Sequence, residues 1–284
     1  MFVAMETDHK KIRIAILDLY EGEANEGMRC IRTILKDFAE FNQLKIEFNA
    51  FDVRLKNEVP DMSYDIFISS GGPGNPLESR YSEWEKHYFS WLNEVERWNN
   101  NPDNDKKKFV FFICHSFQLA CRHYNAGIVC KRRSTAFGVF PVHMLQDGFE
   151  EPVLNGLSEP FYAVDSRDYQ VIQPTYSVLD KMNAKILCIE KDRPHVPYER
   201  AIMAIRFNEY MIGTQFHPEA DAVGMTRYLN RADKKKTVIE NHGEEKWRNM
   251  IEGLNDPNKI LLTYSQVLPN FLQQAVEHLQ AVEV

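Results

Sequence analysis

The sequence predicts an α/β protein in three layers: a mostly parallel central sheet with helices on both faces, antiparallel additions to it, and a helical C-terminal extension. Three observations lead there. Buried, β-branched runs alternate with amphipathic helical runs as far as Gly127, the order that builds a parallel sheet covered on both sides. Beyond Lys131 five strand-like runs follow on short connections, which predicts antiparallel strands added to the same sheet or a small second sheet. From Ala220 onward apolar residues fall at helical spacing.

Residues 12–19 are apolar and β-branched, a buried strand. Met28, Ile31, Leu35 and Phe38 then mark one face of a helix. Residues 44–53 read as the next strand, and 64–70 as a buried one ending at Gly71-Gly72-Pro73-Gly74. Trp84, Tyr88, Trp91 and Val95 keep helical spacing, and the polar stretch 99–108 leads into the strand 109–114. A helix begins near Ser116, runs through 119–124 and is closed by Gly127. The later strands are 137–145, 161–164, 185–190, 201–208 and 210–216. Tyr264, Leu268, Phe271, Ala275 and Leu279 form a last helical stripe around Pro269. The expected division is 1–219 as one domain and 220–284 as an extension of two or three helices on the same domain.

The chain has 284 residues, 44% of them hydrophobic and 26% charged, enough for one large core or two small ones, which excludes a disordered or fibrous chain. The longest apolar run, 109–114, falls far short of the roughly 20 residues a membrane helix needs. Thirty-four basic against 41 acidic residues give a formal charge of −7, which disfavours nucleic acid and anionic membrane as partners. Residues 1–11 carry Glu6, Asp8 and His9 and lack the cationic-then-apolar order of a secretory signal. Five cysteines, Cys30, Cys114, Cys121, Cys130 and Cys188, are an odd number without a Cys-x-x-Cys pair, which fits a reducing cytoplasm. A cytoplasmic location is the expectation.

Three segments can carry chemistry. Cys114 stands where a buried strand gives way to a helix, so a thiolate there would be lifted above the sheet edge at a helix N-terminus; a buried structural cysteine is the other reading. In Gly213-Thr214-Gln215-Phe216-His217-Pro218-Glu219, an extended backbone would put His217 and Glu219 on one side, where the carboxylate can orient the imidazole as a base. Gly71-Gly72-Pro73-Gly74 lets backbone N–H groups approach a ligand, or is simply a tight turn; no Gly-Lys-Ser/Thr follows, so it is not a phosphate loop.

Together with Asp65-Ile66-Phe67-Ile68-Ser69-Ser70 before the glycines and Ile113-Cys114-His115-Ser116-Phe117-Gln118-Leu119, these segments, in this order, resemble the class I glutamine amidotransferase family. The segments Gly127-Ile128-Val129, Phe137-Gly138-Val139-Phe140-Pro141-Val142 and Pro152-Val153-Leu154-Asn155-Gly156-Leu157 resemble its connecting text, so the likeness covers residues 12–219. It implies a flavodoxin-like fold and a Cys114 nucleophile that attacks the side-chain amide of glutamine, with His217 as base and Glu219 as its orienter. It further implies an oxyanion hole from Gly72 and the His115 backbone N–H, and Gln118 and Gly71 as substrate-binding residues.

The sequence departs from the family where glycines usually flank the cysteine two positions away; here Phe112 and Ser116 stand there, so the elbow needs space from elsewhere or a reoriented thiol. The His115 side chain either assists the thiolate or faces solvent. Arg167, near the place of a frequent family histidine, either meets an acidic group of a substrate or pairs with Asp165 or Asp168. Lys131-Arg132-Arg133 reads as plain surface, with a ligand's anion as the alternative, and the runs 106–108 and 234–236 as solvated charge. Cys121, His123 and Cys130 lack the spacing of a zinc site, so neither metal nor cofactor is expected.

The resemblance thus implies a glutaminase, similar to the amidotransferase domain of GMP synthase, that yields glutamate and ammonia for a separate synthetase partner, since the chain has no ATP-pyrophosphatase motif. The alternatives are a free-standing hydrolase of γ-glutamyl peptides or amides, and a non-catalytic binding module. The C-terminal stripe, with Trp247, Met250 and Leu254 before it, reads as a cover for the sheet or as a homodimer or partner surface.

Overall fold

The computed structural model describes residues 11–23, 25–193, 199–254 and 256–282. The expectation for the start of the chain falls, but for Lys11, outside them, and so do the side chains of Lys234 and Met250. The first half runs β1 (Ile12–Asp18), α1 (Gly27–Phe41), β2 (Ile46–Asp52), α2 (Val53–Lys56), β3 (Ile66–Ser69), α3 (Glu83–Asn100), β4 (Phe109–Ile113) and α4 (His115–His123). Then come β5 (Ile128–Met144), α5 (Gln146–Phe149), β6 (Phe161–Ile172), α6 (Tyr176–Met182), β7 (Lys185–Glu190), β8 (Ile202–Asn208) and β9 (Met211–Thr214). The chain finishes with α7 (Ala222–Asn230), α8 (Ala232–His242), α9 (Glu244–Leu254) and α10 (Leu262–Ala281).

The nine strands of the described residues form one sheet, in the order β2-β1-β3-β4-β9-β8-β7-β5-β6. The five from β2 to β9 pair in parallel, and β8, β7, β5 and β6 continue antiparallel. Among the described residues a second sheet is therefore not formed. Strand β9 joins the two halves, parallel to β4 and antiparallel to β8, so its carboxyl end lies at the same edge as those of β1, β3 and β4. In open α/β sheets that edge is where ligands bind.

Side chains alternate between the two faces of each strand. Ile14, Ile16, Phe109, Phe111 and Ile113 enter one core beneath α1 and α10, while Ala15, Leu17, Val110 and Phe112 enter the other beneath α3 and α4. Helix α10 supplies Leu268, Phe271, Ala275 and Leu279 to the first core. It covers the sheet as its stripe predicts. Helices α7 and α9 bury Met225, Leu229 and Leu254 on the β5–β6 ribbon in a smaller cluster.

Three local expectations change. Among the described residues the C-terminal text forms four α-helices, with a kink at Lys259 ahead of α10. Helix α4 is closed not by Gly127 but by Asn125, which takes the left-handed φ of +54°; an asparagine tolerates it because its short polar side chain can bond locally. Gly127 is instead a close-approach glycine, since a Cβ there would stand 2.9 Å from the Ile172 carbonyl. Strand β5 starts at Ile128 and carries Lys131-Arg132-Arg133 within it, bulging between Lys131 and Ala136.

Candidate active site

Cys114 joins β4 to α4 with φ +48° and ψ −95°, a strained conformation for a residue with a Cβ. Hydrogen bonds fix it. Its N–H donates to the Thr214 carbonyl at 2.8 Å, and its carbonyl accepts from Gln118 N at 3.0 Å. Ser116, where the family usually has glycine, braces the elbow: its Oγ accepts from Ile113 N at 2.8 Å and lies 2.7 Å from the Ser69 carbonyl at the end of β3. The other departure, Phe112, is accommodated from the neighbouring strand. Phe112 pairs in register with Gly213, where a Cβ would stand 3.0 Å from Phe112 Cβ and 2.8 Å from the Phe117 ring.

Beyond β9 the backbone turns, and His217 N bonds the Val164 carbonyl of β6 at 2.8 Å. A turn rather than an extended segment brings His217 and Glu219 together, with Nδ1 and Oε1 2.8 Å apart. Glu219 is buried and its Oε2 has no partner. Burial alone would push the His217 pKa down, but the charges of Glu219 and Cys114 and hydrogen bonds to both outweigh it, so the pKa is raised well above its ordinary value. The imidazolium form is favoured beside the thiol. Tyr20, just beyond β1, is half-buried near the same groups; desolvation, then the charges of Glu219 and Cys114, raise its phenol pKa and keep it protonated.

The Gly71–Gly74 loop lies against this cluster. A Cβ on Gly71 would stand 2.8 Å from His217 Cε1, and one on Gly72 would collide with the Leu19 carbonyl. Arg54 ties the loop from behind, with Nη1 donating to the Pro73 carbonyl at 2.7 Å and the Leu19 carbonyl at 3.3 Å, and Nη2 paired with Glu21 at 2.8 Å. Arg122 grips the Pro76 carbonyl and pairs with buried Glu85. A carbonyl held outward turns the next N–H the opposite way across the planar peptide.

The His115 side chain neither faces solvent nor assists as an acid. It is 2% exposed, its Nε2 is unpartnered, and burial, then the charges of Arg54 and Arg122, bring its pKa down to about 3. Gln118 is buried as well, donating from Nε2 to the Tyr169 carbonyl and to Gln215 Oε1, both at 3.1 Å. Gln215 in turn donates from Nε2 to Cys114 Sγ at 3.7 Å, and Sγ lies 3.8 Å from the Ser166 carbonyl. Sequence reasoning missed Gln215: it stands inside the 213–219 motif, but nothing in that motif signals a contact with the thiol.

These residues open into a cleft of about 1010 Å³, whose lining includes Cys114, Gly72, Gln118 and His217 together with Phe137, Tyr228 and Val238. Its β5–β7 wall is charged. Arg167 pairs with Asp165, as one of its two readings expected, giving Nε to both carboxylate oxygens at 2.8 and 3.0 Å. Arg132 is not plain surface: its side chain is 6% exposed, pairing with Glu190 at 2.9 Å and Gln170 at 2.8 Å. Among the described residues no three or more His, Cys, Asp or Glu side chains are placed to hold a metal. Cys121 is buried in the core and His123 stacks on Phe89.

A family model described as glutamine amidotransferase class-I matches residues 27–232. No curated protein matches in sequence. Among solved structures, a glutamine amidotransferase from Thermotoga maritima aligns over 95% of this chain and 100% of its own, at 15% identity and TM-score 0.66. A putative GMP synthase component from Thermoplasma acidophilum covers 97% and 100%, at 12% identity and TM-score 0.58. The glutaminase domain of a Trypanosoma brucei CTPS, with bound acivicin, covers 94% of each chain, at 13% identity and TM-score 0.56. At these identities the likeness establishes the fold. No helix among the described residues is long and apolar enough to cross a membrane.

Proposed function

Since the chain belongs to the class I glutamine amidotransferase family, we propose that it hydrolyses the side-chain amide of glutamine through a Cys114 thioester and passes the ammonia to a separate synthetase. The observation that carries this is the strained Cys114 at the head of α4, beside a His217 that Glu219 holds at 2.8 Å. The Cys114 thiolate attacks the amide carbon, and the oxyanion takes hydrogen bonds from the backbone N–H groups of Gly72 and His115. His217 gives its proton to the leaving nitrogen, the C–N bond breaks, and ammonia departs from a γ-glutamyl thioester. Neutral His217 then takes a proton from water, whose oxygen attacks the thioester. Collapse releases glutamate, and the proton returns to the Cys114–His217 pair. Gln118 and Gly71 border the seat of the substrate.

Two relatives support the synthetase partner, since one is described as part of a GMP synthase and the other as the glutaminase domain of a CTPS. The proposal places the protein in the cytoplasm and treats 220–284 as an extension of the amidotransferase unit, because α10 lies in its main core. A second reading, a free-standing γ-glutamyl amide or peptide hydrolase, is favoured by the cleft, whose roughly 1010 Å³ is a volume suited to a ligand of drug size.

The test is release of ammonia and glutamate from glutamine by the full chain, alone and with a captured synthetase, beside Cys114→Ala. Turnover lost by about 10⁴-fold or more in the variant is expected. Cleavage of γ-glutamyl peptides but never of glutamine would overturn the first reading for the second. Labelling of Cys114 by an electrophilic glutamine analogue reads nucleophile and pocket together.

A further inference from the structure

Cys114 Sγ sits between two polar neighbours of opposite kind. On one side the Ser166 carbonyl of β6, 3.8 Å away, can only accept, so it suits the sulfur while the sulfur keeps its proton. On the other, Gln215 Nε2 donates at 3.7 Å, and that contact is strongest once the proton has gone.

Which end of Gln215 meets the sulfur is decided several residues away. The oxygen and nitrogen ends of a side-chain amide have nearly the same shape, so hydrogen bonds alone choose between them. The choice starts at a backbone atom. The Tyr169 carbonyl accepts and cannot donate, so Gln118 turns its Nε2 to it, at 3.1 Å. The same nitrogen gives its second hydrogen to Gln215 Oε1, also at 3.1 Å. With its oxygen so engaged, Gln215 presents its nitrogen to Cys114. Both glutamines are sealed in, Gln118 3% and Gln215 0% exposed, which makes each of these bonds costly to leave unmade.

Their backbones are fixed as well. Gln118 N bonds the Cys114 carbonyl at 3.0 Å, Gln215 N bonds the Met203 carbonyl of β8 at 2.8 Å, and Gln215 follows Thr214, whose carbonyl takes Cys114 N at 2.8 Å.

We propose that Gln118 and Gln215 form an amide relay that keeps an N–H donor on the Cys114 sulfur and so favours its thiolate. Gln215 touches the reacting sulfur, and Gln118 is a positioning residue that acts through it. Around the sulfur the charged and titratable groups are His217 beyond β9, with Glu219 behind it, Arg167 on β6 and Tyr20 beyond β1, while His115 on α4 lies with Arg54 and Arg122. These keep their charges when a glutamine is replaced, so the share of the relay can be read apart from theirs. The relay belongs to the thiol before any amide arrives; it rests on the nucleophile of the hydrolysis proposed above and not on its substrate.

The test follows Cys114 without substrate. The full chain is alkylated with iodoacetamide between pH 6 and pH 10, and modification of the Cys114 peptide is timed by mass spectrometry beside Gln215→Met and Gln118→Met, with unchanged melting confirming the fold. Expected at pH 7 is alkylation about 10-fold slower in Gln215→Met and about threefold slower in Gln118→Met, whose Gln215 is released to turn its oxygen toward the sulfur. Both should meet the parent by pH 10, where a thiol ionises without help. A slowing that persists undiminished at pH 10 is structural damage and would overturn the relay, as would rates within twofold of the parent at every pH. A second measurement leaves the glutamines untouched. In the parent labelled with heavy nitrogen, the side-chain amide signals of Gln215 are expected to move across the same pH range, and to stay still in Cys114→Ala; equal movement in the two proteins also overturns it. Alkylation that depends on Gln215 in a protein that turns over no amide leaves the relay standing and removes the hydrolysis. Turnover of glutamine by a protein whose alkylation ignores both glutamines does the reverse.

Discussion

At the carboxyl edge of the parallel strands, groups are set by short tethers from the backbone: Ser116 Oγ to Ser69 and Ile113, Cys114 N to Thr214, Arg54 to the Pro73 carbonyl. On the antiparallel wall, long side chains hold one another instead, with Arg132, Arg167 and Arg193 gathered on Glu190. Backbone tethers inherit the register of the sheet and leave little freedom, which suits atoms that must meet a reacting carbonyl within tenths of an ångström. A web of guanidinium and carboxylate groups is set by charge balance and tolerates differences in what it contacts. The parallel edge fixes the Cys114–His217 cluster through the backbone, and the antiparallel wall beside it is fixed by ion pairs between side chains.

The largest expected separation between the two regions lies in acid. His115, at the parallel edge, has a folded pKa of about 3 against an ordinary value near 6.5, so between these values the unfolded chain binds a proton that the native one refuses. Its effect on stability is absent above about pH 6.5, and the loss grows as the pH falls toward 3. Urea unfolding at pH 7, 5 and 4 is expected to show His115→Asn losing less stability than the parent, with a gap on the order of 3 kcal/mol at pH 4. Parallel losses in both proteins would mean that the imidazole is not held neutral. On the other region, Leu229→Ala removes a buried side chain from the small cluster under α7 and is expected to cost about 2–5 kcal/mol in one shared transition. A separate, earlier transition in calorimetry would make α7–α9 a unit of its own.

The smallest effect falls on rate alone. Arg54→Gln frees the Pro73 carbonyl and lets the glycine loop turn, and because losing an oxyanion donor outright costs about 10²–10³, mis-aiming one is expected to lower kcat about tenfold. KM should stay within twofold, with partial recovery in Arg54→Lys, in steady-state assays with glutamine. An equal rise in KM would assign Arg54 to binding and blur the contrast between edge and wall.

What could be read in the residues follows the same division. That Cys114, His217 and Glu219 lie together was legible because each follows a buried strand, and strand ends of a parallel sheet meet at one edge. The burial of His115 was not, since at an elbow the next residue can face either way until Arg54 and Arg122 close around it. Arg132 read as surface because its partner Glu190 is 58 positions away and no local pattern announces it. The Phe112 departure was visible but its resolution was not; the space comes from Gly213, 101 positions on. Asn125 displaced Gly127 as the helix stop because both can end a helix, and only the approach of Ile172 shows what the glycine is for.

The adjacency of β4 and β9 also has a consequence in time. The thiol and the Gln215 that touches it are 101 residues apart, with the whole antiparallel ribbon made in between. Contacts so distant in sequence form late, because closing a long loop costs entropy before any contact repays it. During synthesis the strand and turn that bear Cys114 emerge first, while His217 and Glu219 are still unmade. A chain cut short before β9 therefore carries Cys114 without His217, and the two come together only when the last strand slots into the middle of the sheet. Completion of the fold is what joins the two halves of the cluster.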